Sequence, residues 1–473
     1  MPIHTRCTAA LRVTCLVLGA SLIGCGGDDD SSSDNGDDPP PSTPRDVPVG
    51  EEEWSNEVIA DENAGQFLRL RYDEGEDRPV LAYYAMTGID DGPCVEIGDG
   101  IDVPTRRLWN LVYGEEQMGG WQFETVVQTL SQSDPRGFDL QLAADGTPTI
   151  AAITGVPITL PMYCGAHDLG LFTRDAPDSW SEQTLVVTSG EAASGEPASD
   201  AGEIVGYWPA LAFDGGGNPA VAYRDVHFGG IQNDDFERAD LEISIGGSAR
   251  PVDVGVGAGQ FNQLHFDPEG RPLIVHYNPV MQELDNRTGL WVARSEDGGS
   301  TWEHVRLFSA PLINPPSSIF DADGQLQVAY YDPGRGVPVL ATLLDDAMFT
   351  SFNDGWQEET IGDPRFDEGY DPSLAMDADG RLGLAYYRCA RTDMTRLGSC
   401  DAQEDGLILA HRAAGADDFE IEEVDGGEDI GECGRSASLI FEGSGRPAVA
   451  YACNGRDGDT LIEQVRLARR EAL

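Results

Sequence analysis

The stretch from Pro372 to Arg388, PSLAMDADGRLGLAYYR, reads as two short strands joined by an Asp-x-Asp-Gly turn. β-formers and small apolar residues fill both arms, and the Asp and Gly supply turn chemistry between them. The pattern returns six times: FLRLRYDEGEDRPVLAYYA from Phe67, FDLQLAADGTPTIAAIT from Phe138, PALAFDGGGNPAVAYRD from Pro209, NQLHFDPEGRPLIVHYN from Asn262, SSIFDADGQLQVAYYD from Ser317 and SASLIFEGSGRPAVAYAC from Ser436. Copies spaced by roughly 50 to 70 residues mean a repeat architecture, and such periods point to solenoids or propellers.

Each copy holds more than a hairpin. In the sixth, Gly406-Leu-Ile-Leu-Ala-His411 and Phe419-Glu-Ile-Glu-Glu-Val424 follow, giving four strands in meander order, the unit of a propeller blade. Fourth strands open on an aromatic at Trp121, Trp180, Trp302 and Trp356; the third blade lacks it, and its outer strand is expected near Pro251 to Val256. The last copy offers only three strands, ending near Thr460 to Ala468. Glu53-Trp54-Ser-Asn-Glu-Val58 has the fourth-strand pattern and no blade of its own. The expectation is an all-β, seven-bladed β-propeller of four-stranded antiparallel blades. The early segment completes the last blade and removes the free edges of the ring.

Residues 1–24 read as a signal peptide: Arg6 and Arg12, an apolar run from Leu11 through Ile23, then Leu22-Ile23-Gly24-Cys25. That ending resembles the lipobox of bacterial lipoproteins, which implies cleavage before Cys25 and its lipidation. An ordinary signal peptide or short anchor is the alternative. Residues 25–50 follow as an Asp/Ser/Pro-rich tether, and 51–473 as the propeller. The expected address is the cell envelope, an outer membrane or cell surface, with the bilayer as partner through the acyl chain.

The 473 residues carry a formal charge of −53, and all 30 basic residues are Arg. A surface this acidic repels phosphate backbones, which excludes nucleic acid. The absence of Lys excludes Schiff-base chemistry. The chain is expected to be a monomer without cofactors; calcium on Asp321, Asp323, Asp377 and Asp379 is the alternative to plain turn chemistry.

Ser295-Glu-Asp297-Gly-Gly299-Ser-Thr301-Trp302 fits Ser-x-Asp-x-Gly-x-Thr-Trp at every specified position. It resembles the Asp box of bacterial neuraminidase (sialidase) repeats and falls at the same third-to-fourth-strand turn. Arg174–Trp180 and Phe352–Trp356 are eroded versions. The resemblance implies a structural turn. The family's Arg-Ile-Pro motif is missing around Arg106 and Arg107, so none of its catalytic residues carries over.

In a meander the A–B and C–D turns share one face, and the B–C and D–A loops share the other. The A–B turns are short. The B–C loops are long in blades one, two, three and six, and variable loops on a rigid scaffold are where sites form. Cys94, Cys164, Cys389, Cys400, Cys433 and Cys453 all fall on that face, with pairings 389–400, 433–453 and 94–164 expected; free or zinc-binding thiols are the alternative. Candidate ligand-binding residues at the strand-B ends and D–A loops are Arg224, His276, Tyr331, Tyr370, Tyr387 and Arg388, for a glycan or protein ligand. Blade packing accounts equally for the tyrosines. Asp225 and Asp332 are candidate catalytic carboxylates under a glycoside hydrolase or lyase reading. His167, His227 and His276 with Asp225 are a conceivable zinc set.

Overall fold

The computed structural model describes residues 54–61, 63–89, 107–132, 137–154, 168–187, 204–226, 239–254, 257–279, 287–312, 314–391, 400–401, 405–427, 431–457 and 460–470. Seven sheets of four antiparallel strands follow one another, each a meander. Blade six is typical, with strands Asp367–Met376, Leu382–Cys389, Gly406–Arg412 and Glu420–Asp425. Strand B of each blade lies between A and C and is covered on both faces by neighbouring blades. This is why Pro148–Ile153 and Leu326–Asp332 are buried at every residue and read as near-continuous apolar runs.

The ring closes as the end count requires. Ser55–Ala60 pairs antiparallel with Thr460–Arg469, Ser55 opposite Arg469 and Ala60 opposite Val465. The seam also reaches both neighbouring blades. Trp54 Nε1 donates to Glu422 of blade six at 3.3 Å, and Arg469 pairs with Glu116 of blade one and Glu442. The third blade's outer strand is Ser248–Asp253, three residues earlier than the sequence suggested. Gly246 and Gly247, both at positive φ, close a two-residue hairpin directly after Ile245.

The A–B turns repeat in detail. The carboxylates of Asp214, Asp267, Asp321 and Asp377 each accept the backbone N–H groups two and four residues on, at 2.7–3.1 Å. Those oxygens act as turn caps, the role set against calcium binding for Asp321 and Asp377. In the Ser295–Trp302 turn, Asp297 accepts from the N–H groups of Ser300 and Thr301 and from both hydroxyls of Ser295 and Thr301. These bonds hold its carboxyl down at about 2, the Thr301 N–H contributing most.

Strand A, innermost, leaves N–H groups without a strand partner on the channel side. Four blade joints answer this the same way. The N–H of Leu211 donates to Asp139 Oδ2 at 2.8 Å. Those of Leu374, Leu439 and Leu70 donate to Ser317, Ser373 and Ser438 Oγ at 2.9 Å. Each acceptor belongs to the preceding blade, so the latches run in one direction round the ring.

Candidate functional site

The channel mouth is built by a backbone device that five blades share. Near the start of strand A stands a glycine at positive φ and, two residues later, a second residue at positive φ: Gly65 and Phe67, Gly206 and Trp208, Gly259 and Phe261, Gly369 and Asp371, Gly434 and Ser436. In blades one, three, six and seven the pairing register shifts twice there, a double bulge that re-aims side chains into the channel. The glycine is required by close approach to the preceding blade. A Cβ on Gly369 would stand 2.5 Å from Pro338 N, and one on Gly434 would stand 3.0 Å from Leu407 Cα. The signal is legible in sequence, since Ala-Gly-Gln-Phe occurs at both 64–67 and 258–261. In these five blades the repeat pattern quoted above starts at, or directly after, the second positive-φ residue.

A cavity of about 720 Å³ follows the innermost strands, from Asn63 and Asn454 at the long-loop end to Phe213 and Phe266 deeper in. Phe67, Trp208 and Phe261 line its mouth; Trp208 and Phe261 meet edge to face at 5.7 Å, and Phe261 stacks on Tyr277. Three guanidinium groups, Arg69, Arg71 and Arg435, face the cavity with three carboxylates, Asp139, Asp371 and Glu463. In a chain with 83 acidic and 30 basic residues, that balance makes the channel far less negative than the rest of the molecule.

Two of the three carboxylates are held by hydrogen bonds among the described residues. Asp139 accepts from Arg71 (3.1 Å), Gln141 and the Leu211 N–H. Asp371 accepts from Asn314 (2.8 Å) and the Ser436 N–H. Arg69 is freer: it donates to its neighbour's carbonyl, Leu68 O, and its Nε lies 3.7 Å from Asp139. Burial lowers its pKa against the pull of Asp139. His265, hydrogen-bonded to Ser318 Oγ at 2.8 Å, is pushed down to about 4 by burial, so it is neutral at pH 7. This group can hold sugar hydroxyls or a carboxylate on Arg69 and Gln263, with apolar ring faces against the aromatics.

Most of the residues expected at the rim lie elsewhere. Arg224, Asp225, His276 and Asn278 are 0–1 % exposed. The reason is that strand A continues past its bulges and pairs with the last residues of strand B, Val205 opposite Asp225 and Tyr207 opposite Arg224. Arg224 packs over the Trp208 ring at 5.4 Å. Burial takes His276 well below its ordinary pKa. Asp332 caps its own turn through the N–H groups of Gly334 and Arg335. Arg388 pairs with Glu423 and covers Phe366.

Tyr331, Tyr370 and Tyr387 do come together, but buried beside the channel. Asp367 accepts from the hydroxyls of Tyr331 (2.6 Å) and Tyr370 (2.8 Å) and pairs with Arg391. Tyr387 donates to Asp405, whose carboxyl burial raises to about 6. Arg435 covers the Tyr387 ring at 4.1 Å and so links this cluster to the cavity.

Cys389 bonds Cys400, and Cys433 bonds Cys453 directly opposite it in register. Cys94 and Cys164, His167 and His227, the long B–C loops of blades one to three, most of the blade-six loop, and everything before Trp54, Cys25 included, lie outside the described residues.

The molecule is thus a seven-bladed β-propeller, and its structural neighbours are sialidase-like and arabinanase-like propellers. No family model matches the chain, and no curated protein matches its sequence. A protein of unknown function from Dyadobacter fermentans shares 14 % identity over 88 % of this chain and 98 % of its own, with TM-score 0.45. The NanB sialidase of Streptococcus pneumoniae shares 11 % over 88 % and 70 %, TM-score 0.42. The α-L-arabinanase of Penicillium chrysogenum, solved with arabinobiose, shares 14 % over 76 % and 97 %, TM-score 0.41.

Proposed function

We propose that this chain is a lipid-anchored, extracytoplasmic propeller that binds a glycan or a protein ligand on its long-loop face, with the channel mouth as the contact. The observation that carries it is the cavity: aromatic rings at its mouth, Arg69 with little to hold it, and a charge balance unlike the rest of the chain. A pyranose offers apolar ring faces and a fringe of hydroxyls, which suits such a lining, and a glycan is the ligand we favour. The Cys25 lipobox and the Asp/Ser/Pro-rich tether support the envelope address. The hydrolase alternative has less support, because Asp225 and Asp332 stand outside the cavity lining.

The test is an array of neutral and acidic oligosaccharides probed with residues 26–473. Arg69→Gln is expected to weaken the bound glycan about tenfold, the worth of a charged hydrogen bond. Removing 90–106 and 392–399 together is expected to abolish binding. Glycan capture that survives all three changes sinks the proposed face, and release of reducing sugar from any arrayed glycan moves the function to the hydrolase. Cys25→Ser is expected to shift the full-length protein from the membrane pellet to the soluble fraction; an unchanged distribution removes the anchor.

A further inference from the structure

We propose that Asp253, His276 and His304 form a site for a divalent transition metal of the zinc class, joining blades three and four. Asp253 closes the outer strand of blade three. His276 lies on strand B of blade four, Pro272–Asn278, and His304 on its strand D, Glu303–Phe308. Register puts the two histidines on one face. His304 is opposite Ala293, which is opposite Ile274, two residues before His276, and residues two apart in a strand share a face. One donor atom from each of the three lies within 4.8 Å of the others. Movement of under about 1 Å per side chain would bring all three to ligand distance.

The second observation concerns His276 itself. It is fully buried, and among the described residues neither of its ring nitrogens has a hydrogen-bond partner; the Nδ1 of His304 has none either. A buried polar group without a partner is destabilising and calls for an explanation. A metal ion provides one.

Asp253 is already fixed as a ligating carboxylate would be. Arg287 donates from its two terminal nitrogens to the two Asp253 oxygens, at 3.1 and 2.8 Å. Each oxygen keeps a further lone pair for the histidines' side. Arg287 is positioned in turn by Trp291, whose ring it covers at 5.2 Å and whose Nε1 donates to the Arg287 carbonyl at 2.9 Å. Two imidazole nitrogens with one carboxylate oxygen suit zinc, cobalt or nickel rather than calcium or magnesium, which prefer all-oxygen shells. Among the described residues the other cluster of this kind, Asp425 with Cys433 and Cys453, has both sulfurs committed to a disulfide. None of the three residues lines the channel cavity, and binding there would stabilise the fold by mass action.

The experiment uses tag-free residues 26–473, stripped with chelator and then titrated with Zn2+ and, for its spectrum, Co2+. The expected result is about one equivalent of zinc retained through gel filtration, a rise in Tm with zinc, and affinity reduced about 100-fold or more in His304→Gln and Asp253→Asn. Wild type that retains no zinc, or a His304→Gln protein that retains as much, overturns the site. If the variants do not fold, the wild-type cobalt complex decides: visible ligand-field bands support it, and the spectrum of the aqueous ion refutes it.

Discussion

The two ends of strand A differ in what they repeat. At the turn end, backbone and side chain recur together, with the same Asp accepting the same two N–H groups in blade after blade. At the mouth end only the backbone recurs. The glycine and the positive-φ residue return in five blades, but the side chain aimed at the channel is Phe67, Trp208, Phe261, Asp371 or Ser436. A position whose side chain serves the turn is fixed by the turn. A position whose geometry is supplied by a glycine two residues earlier leaves its side chain free to differ, and a surface of differing side chains on a repeated frame can present a specific site. The two faces of the ring also differ electrostatically. Asp297, in the C–D turn of blade four on the same face as the A–B turns, is held down at about 2 by hydrogen bonds, whereas burial raises Glu368, on strand A of blade six near the mouth, to about 7.

The largest expected effect comes from removing the frame both ends depend on. Deleting residues 51–60 takes away the outer strand of blade seven, the Trp54 and Asn56 hydrogen bonds to blade six, and the buried Ile59 that packs with Leu68 and Leu81 of blade one. Urea unfolding should lose about 4 kcal/mol or more, or its cooperativity altogether. A truncated protein with the wild-type midpoint means the ring does not close there. Next, Gly369→Val tests the mouth backbone. It must place a branched side chain against Pro338 at φ +105, and a loss of roughly 3 kcal/mol is expected. A loss under about 1 kcal/mol would show that the bulge tolerates a side chain.

The pH dependence separates the two faces by sign. Glu368 has a folded pKa of about 7, above its ordinary 4.5. The folded state therefore keeps a proton that the unfolded chain gives up, and stability falls as pH rises from about 4.5 to 7. Glu368→Gln should flatten that slope and raise stability at pH 8 by about 1–3 kcal/mol. An unchanged slope removes Glu368 as its source. Asp297 has the opposite sign: its contribution is present above pH 3.8 and is lost as pH falls through about 2. The smallest effect is expected at a single turn. Asp377→Ala should cost about 1 kcal/mol in urea unfolding and leave ligand affinity unchanged, and weaker ligand binding in this variant would erase the distinction between the ends.

The sequence made the blades legible because each hairpin repeats a short-range pattern, and Trp54–Val58 betrayed the closing strand by matching a pattern with no blade attached. The site was less legible. The linear pattern puts Arg224, His276 and Tyr387 at a rim because it ends strand B there, but strand A runs on past its register shifts, double in blades three and six and single in blade four, and covers them. Arg69 and Arg71 lie inside the copy that starts at Phe67 and look like ordinary strand residues, since nothing local tells a channel-facing alternate from a core-facing one. His304 escaped for a similar reason. Its meeting with His276 and Asp253 depends on cross-strand register and on contact between blades, neither of which a linear pattern encodes.

Hydrogen–deuterium exchange with and without a saturating glycan from the array would test the mouth as the ligand site most directly. Slowed exchange is predicted in the segments Gly65–Phe67, Gly259–Phe261 and Gly434–Ser436, with Asp267–Arg271 and Asp377–Arg381 unchanged. Protection confined to the turn segments, with the mouth exchanging as before, would contradict it.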